Sequence, residues 1–311
     1  MDTSAWLPLP DVHSFLARAG DFLRSRPALH TVTLTVCEGL RARGPQAYGD
    51  EAPVFGVLER DGAVRAAYFR TPPYRLIVTP LTPEEAGSLA AHLRAVGDPV
   101  PGVNADEATA AAFAEAWRAR TGAAPRLHER LRLYRLGELR WPDPAPEGRG
   151  RVAEARDREL VARWYVEFVR AIGGAGHRDS GDWADARIAE RRVGLWETPD
   201  GVPVSMAALT PRVAGQIRVA TVYTPAGLRG RGYGAAATAH ASRAALAEGA
   251  EEVLLFADLA NPTSNGVYQR VGYRPVTDFA VYDLAPVELP RGDAVDGGAG
   301  RAPRRSTPTA R

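Results

Sequence analysis

The sequence predicts an α/β (α+β) fold of two similar units on one chain, followed by a disordered tail. Three observations carry this expectation. At 311 residues the chain exceeds one typical domain. A Pro-rich stretch, Trp141-Pro-Asp-Pro-Ala-Pro-Glu-Gly148, interrupts it near the middle. On each side the same order can be read: helices, a hairpin, a strand, a helix, a strand, a helix and a closing strand. Short stretches repeat as well: Arg120-Thr-Gly-Ala-Ala-Pro125 against Arg270-Val-Gly-Tyr-Arg-Pro275, Tyr134-Arg-Leu136 against Tyr282-Asp-Leu284, and Val78-Thr-Pro80 against Tyr223-Thr-Pro225. The expected division is 1–140, a linker at 141–149, 150–285, and a tail at 286–311.

Taken in order, Val12, Phe15, Leu16, Ala19 and Leu23 have helical spacing, which Pro27 ends. Residues 29–43 alternate as a strand would at Val32, Leu34 and Val36. They also fit a helix stopped by Gly44, and the helix is preferred. Val54–Glu59 and Val64–Arg70 read as strands around a turn at Asp61-Gly62, and Arg75–Thr79 as a third. Thr82-Pro-Glu-Glu85 opens a helix with Pro at its first position and a capping box. Asn104 and Glu107 are expected to cap the next helix, which buries Phe113 and Trp117, and Arg126–Leu136 closes the unit as a strand. Past the linker, an amphipathic helix carries Leu160, Trp164, Tyr165 and Phe168 up to Gly173-Gly174. A polar loop with His177 and a short helix to Arg191 follow. Val193–Glu197, Pro203–Leu209 and Gln216–Tyr223 read as strands, and Arg274–Leu284 closes the sheet. From Ala285 on, little can be buried.

Composition narrows the function. The net charge is +2, and the last 23 residues hold five Arg and two Asp, so the excess belongs to the tail. No nucleic-acid or membrane partner follows from such a balance. Cys37 stands alone, which rules out an intramolecular disulfide and points to a reducing, cytoplasmic compartment. Met1-Asp-Thr-Ser4 does not open a signal peptide.

The chemistry gathers between Val222 and Tyr273. Gly230, Gly232 and Gly234 alternate with Arg231 and Tyr233 before an Ala-rich helix at 235–248. Glycines let the backbone approach a ligand, and a helix N-terminus adds partial positive charge, so this is a pattern for phosphate or pyrophosphate. Ala235 and Ala236 stand where a Walker A loop needs Lys-Ser/Thr. The G-x-G-x-G spacing also departs from the dinucleotide fingerprint.

The loop Arg229-Gly-Arg-Gly-Tyr-Gly234 resembles the Arg/Gln-x-x-Gly-x-Gly/Ala loop of the GNAT superfamily of acetyl-CoA-dependent N-acetyltransferases. Asn261-Pro-Thr-Ser-Asn-Gly-Val-Tyr268 and Gly272-Tyr273, after the next strand, extend the likeness to about residues 150–285. It implies that each unit is a mixed, mostly antiparallel twisted sheet flanked by helices. It implies transfer of acetyl from acetyl-CoA to a primary amine without a metal. The expected partner is a small-molecule or peptide amine, with no nucleic acid and no membrane. Oligomeric state stays open, and the paired units could serve as a monomer.

The resemblance also assigns residues. Val222, Tyr223 and Thr224 would pair with the pantetheine arm, and residues Arg229 to Ala235, Tyr233 included, would hold the pyrophosphate. Asn261 and Asn265 would touch the cofactor. Tyr268 would touch it too and protonate the departing thiolate. Asp258 is the preferred residue for orienting or deprotonating the amine, Glu197 a weaker one and His177 a third, with a relay of ordered waters as the alternative to any one of them. In the first unit, Glu84 and Glu85 fall where the glycine loop stands in the second. Two carboxylates there would repel a pyrophosphate, so that copy reads as degenerate. A competing reading is an acyl-CoA-binding regulator without turnover.

Overall fold

In the computed structural model, residues 5–173 and 179–284 are described, and their strands join into a single twelve-stranded sheet. His177 and the tail expected at 286–311 lie outside the described residues. The first unit runs β1 (Ala5–Leu9), α1 (Val12–Arg24), α2 (Thr31–Arg43), β2 (Val54–Arg60), β3 (Ala63–Arg70), β4 (Leu76–Val78), α3 (Pro83–Ala95), β5 (Gly102–Asp106), α4 (Glu107–Thr121) and β6 (Arg126–Leu136). The second repeats that order: β7 (Arg149–Val152), α5 (Arg158–Ala171), α6 (Ser180–Ala189), β8 (Val193–Glu197), β9 (Pro203–Leu209), β10 (Gln216–Tyr223), α7 (Tyr233–Ala247), β11 (Glu252–Asp258), α8 (Pro262–Val271) and β12 (Tyr273–Asp283).

Local chemistry explains most boundaries. The Asp11 carboxylate accepts the Ser14 N–H and starts α1, and Thr82 with Glu85 forms both bonds of a capping box on α3. In the ambiguous stretch at 29–43, Thr31–Arg43 is helical, because its Leu34, Cys37 and Leu40 stripe packs against Phe15, Phe55 and Phe69. Burial pushes the Cys37 thiol up to about 12, as befits a packing residue. Asn104 is not a helix cap. It sits inside β5, and Asp106 caps α4 through the Thr109 N–H. Strands β1, β5 and β7 have no strong alternation of their own, and pairing to neighbours defines them.

The sheet order is β1-β2-β3-β4-β5-β12-β6-β11-β10-β9-β8-β7. All neighbours are antiparallel except β4 with β5 and β10 with β11. The hydrogen bonding does not follow the covalent division at the linker. The closing strand of the first unit, β6, pairs with β11, while the closing strand of the second, β12, pairs with β5. The two exchanged strands also pair with each other over most of their length.

Helices cover both faces. α3 and α4 pack on one side of the first unit around Tyr68, Leu89, Phe113 and Trp117, with α1 and α2 on the other. In the second unit, α7 and α8 cover one face and α5 and α6 the opposite one. A cluster at the seam joins Ala28 and Leu29 of the first unit, Leu133 of β6, Leu254 and Phe256 of β11, and Phe279 of β12. Gln216 of β10 reaches across to donate to the Pro27 carbonyl at 2.8 Å. The first unit therefore packs onto the β10–β11 face beside α5 and α6.

Candidate active site

Strand β10 meets β11 only from Gln216 to Arg218, opposite Glu252 to Leu254. Beyond that, β11 turns to β6 and the β10 edge facing it is left without a ladder partner. A bulge between Ala220 and Tyr223 breaks the register with β9, and Thr221 sits at φ +45°, a left-handed position that a β-branched residue rarely adopts. The gap therefore opens at Val222, Tyr223 and Thr224, where the edge of β10 turned toward β11 has no ladder partner among the described residues. Ser205 steadies the strand end through the Tyr223 carbonyl (3.0 Å) and the Thr224 hydroxyl (2.9 Å).

Nine residues, 224–232, join β10 to α7, whereas four, 79–82, join β4 to α3 in the first unit. The extra residues are the glycine loop. Gly230 and Gly232 take φ of +77° and +81°, which glycine adopts without strain. Gly232 is the N-cap of α7 and supplies no side-chain acceptor, so the first N–H groups of the helix, from Tyr233, Gly234 and Ala235, have no cap. A side chain at Gly234 would begin 3.3 Å from the Thr224 hydroxyl, within the cradle itself. The Arg229 Nε donates to the Thr224 carbonyl at 3.1 Å, so one arm of this arginine braces the loop. Arg231 is exposed, and neither arginine has a carboxylate partner among the described residues. In the first unit, α3 begins with its capping box, and Glu85 is paired with Arg65 at 3.3 Å. Its N-terminus is closed by its own side chains.

Tyr268 is half-buried on α8 and packs in the same cluster as Val222, Tyr233 and Ala235. Its ring meets Tyr273 edge-on at 6.3 Å, and its hydroxyl has no hydrogen-bond partner among the described residues. Burial pushes this phenol up to about 12, so it carries its proton across the neutral range. The two asparagines have structural duties. Asn261 caps α8, accepting from the Ser264 N–H at 3.0 Å. Asn265 is buried with both amide protons committed, to the Asp258 and Asn261 carbonyls at 2.7 and 2.8 Å, while Tyr134 of β6 donates to its oxygen at 2.8 Å. Instead of facing a cofactor, Asn265 ties α8 to the end of β11 and to a strand of the first unit.

The acid–base candidates separate by face. Leu255 and Ala257 face α7 and α8, so by alternation Asp258 lies on the opposite face, with Phe256. Tyr268 and Asp258 thus flank the sheet from two sides. Asp258 is exposed, and its carboxylate accepts the Ala260 N–H at 2.8 Å. Glu197 is unsuited to proton transfer. It is buried between Arg149 (2.7 Å) and Arg151 (2.6 Å), which hold it below the usual carboxylate range.

Two carboxylates escaped the sequence reading. Glu129 on β6 is raised, chiefly by burial and in part by Asp258. Glu167 on α5 accepts from the Tyr223 hydroxyl at 2.8 Å. Helical periodicity could have placed Glu167 beside Trp164. Nothing local to β6 announces that it pairs with β11.

On the Asp258 side, a cavity of about 260 Å³ opens between α5, α6, β9 and β10. Tyr165 and Trp183, stacked at 4.1 Å, form one wall. The cavity reaches Ala220 and Thr221, where the strand bulges.

The sheet is thus splayed between two parallel strands, with an uncapped helix behind a glycine loop on one side and a small cavity on the other. The profile of the acetyltransferase (GNAT) family matches residues 153–273. The fold is similar over almost the whole chain to a GCN5-related N-acetyltransferase from Sphaerobacter thermophilus, with a TM-score of 0.60 at 17% identity over 91% of this chain and 98% of that one. A Drosophila malonogaster protein gives 0.60 at 14% identity over 91% and 99%. An acetyltransferase from the GNAT family from Colwellia psychrerythraea gives 0.57 at 11% over 90% and 100%. At these identities it is the fold that is shared. No curated protein matches the chain in sequence.

Proposed function

We propose that this acyltransferase moves the acetyl group of acetyl-CoA to a primary amine, with residues 150–285 as the catalytic copy and 1–140 as a degenerate one. The observation that carries the reading is the uncapped N-terminus of α7 behind Gly230 and Gly232, beside the β10–β11 gap. Acetyl-CoA, when bound, supplies an activated acetyl carbon. The Tyr233, Gly234 and Ala235 N–H groups would take its pyrophosphate, with Arg231 and the free arm of Arg229 adding charge. An N–H of Val222 or Tyr223 would polarise the thioester carbonyl. The amine nitrogen forms the new C–N bond as the C–S bond breaks. One proton leaves the nitrogen, toward Asp258 directly or through water, and Tyr268 gives one to the departing sulfur.

The test is thiol release from acetyl-CoA across a panel of primary amines, with calorimetry for binding. Binding together with amine-dependent thiol release is expected. Tight binding without release for any amine would leave an acyl-CoA-binding regulator. Absence of binding would remove the reading altogether.

A further inference from the structure

We infer that the acceptor is a small amino carboxylate with an apolar body, its carboxylate held by Arg218 and Arg187 in the cavity beside the β10 bulge. The inference rests on the acetyltransferase reading of the same site. At about 260 Å³ the cavity lies below the 300–1,000 Å³ usual for drug-sized ligands, so it suits an acceptor of amino-acid size. Its lining includes two arginines and no carboxylate. Arg218 projects from β10 with a Thr31 hydroxyl of the first unit at 3.3 Å and the Phe256 ring at 5.9 Å, and has no ion-pair partner among the described residues. Arg187, on α6, has the half-exposed Glu190, at 3.2 Å, as its one ion-pair partner among the described residues. Two guanidinium groups brought to one cavity with so little counter-charge call for an anion from outside. Burial, with repulsion from Arg187, lowers Arg218 to about 10, consistent with a desolvated cation. The rest of the lining is Tyr165, Phe168, Trp183, aliphatic carbon and two threonines, of which Thr210 already accepts the Arg218 backbone N–H; aromatic and aliphatic groups predominate, which fits an apolar side chain better than a sugar.

Phenylalanine and leucine, compared with phenethylamine and 3-methylbutylamine, test this. Each pair differs chiefly by the carboxylate. A charged hydrogen bond is worth about 1.5–3 kcal/mol, roughly 10- to 100-fold. The amino acids should show kcat/KM higher by that factor. Arg218→Gln should raise KM for phenylalanine by roughly 10- to 100-fold and leave phenethylamine unchanged. Should Arg218→Gln not fold, Arg187→Gln, nearer the surface, should show the same selective loss on a smaller scale. Thermal melts with N-acetylphenylalanine against N-acetylphenethylamine give a readout independent of turnover, and only the former should stabilise the wild type. Equal use of acid and matching amine overturns the inference, as does a variant that loses both alike. Acetyl-CoA binding with neither pair acetylated overturns it too while leaving the cofactor site standing. Loss of acetyl-CoA binding itself removes the parent reading.

Discussion

At the scale of single residues, Tyr268 and Asn265 sit one turn apart and do opposite things. Tyr268 has a hydroxyl without a partner among the described residues, beside the proposed cofactor cradle. Tyr268→Phe should leave acetyl-CoA affinity nearly unchanged and lower kcat by up to roughly 10²–10⁴, less if amine attack is the slow step. Equal kcat in both forms would make Tyr268 a packing residue. Because burial holds this phenol at about 12 rather than near 10, the alkaline fall of kcat should not be set by its deprotonation below pH 10. Its folded pKa is the higher one, so its share of stability is complete below about pH 10 and lost as pH rises through 12. Burial raises the Tyr68 and Tyr273 phenols in the same direction. Melting temperature should fall steeply between those pH values, and less steeply in Tyr268→Phe. Asn265→Ala removes three hydrogen bonds, the acceptor of the Tyr134 hydroxyl and one donor to each of two carbonyls, and at about 1 kcal/mol per bond should cost roughly 2–3 kcal/mol in urea unfolding. The sequence showed Asn265 as part of a motif. Only its buried partners reveal that the motif asparagine is a tie.

At the scale of elements, the glycine loop was legible and the exchanged strands were not. Gly230, Gly232 and Gly234 announce a loop with backbone freedom and an unblocked helix end, both written into adjacent residues. Gly234 offers the cleaner probe, since its φ is ordinary whereas Gly232 is left-handed. Gly234→Leu should weaken acetyl-CoA binding at least about tenfold in calorimetry, with little change in melting temperature. Strands β8, β9 and β10 were readable from alternation and turns. β1 contains Pro8, β5 is the polar Gly-Val-Asn-Ala-Asp, and β7 is Arg-Gly-Arg-Val, so each becomes a strand only by docking on a neighbour. The pairing of β6 with β11 depends on contacts far apart in sequence, which no local pattern encodes. It has a direct consequence for the linker. A protease site placed at Pro142–Pro146 should yield two fragments that still elute together in size exclusion, since each holds a strand of the other's sheet. Fragments that separate and stay folded would contradict the exchange.

For the molecule as a whole, the two units are unequal partners of one sheet. Calorimetry should give one acetyl-CoA per chain, because the α3 N-terminus is filled by its own capping box and by Arg65 at Glu85. Two sites would overturn the assignment of a degenerate first unit. The exchange also bears on how the chain is made. β6 is complete at residue 136, but the strand it must join, β11, ends only at residue 258. β5 likewise waits for β12, close to the end of the described chain. During synthesis the first unit therefore leaves the ribosome with an unsatisfied strand edge, and it cannot finish folding ahead of the second as tandem domains ordinarily do. Two nascent chains held close together could each lend β6 to the other's β11 and form an intertwined pair instead of two monomers.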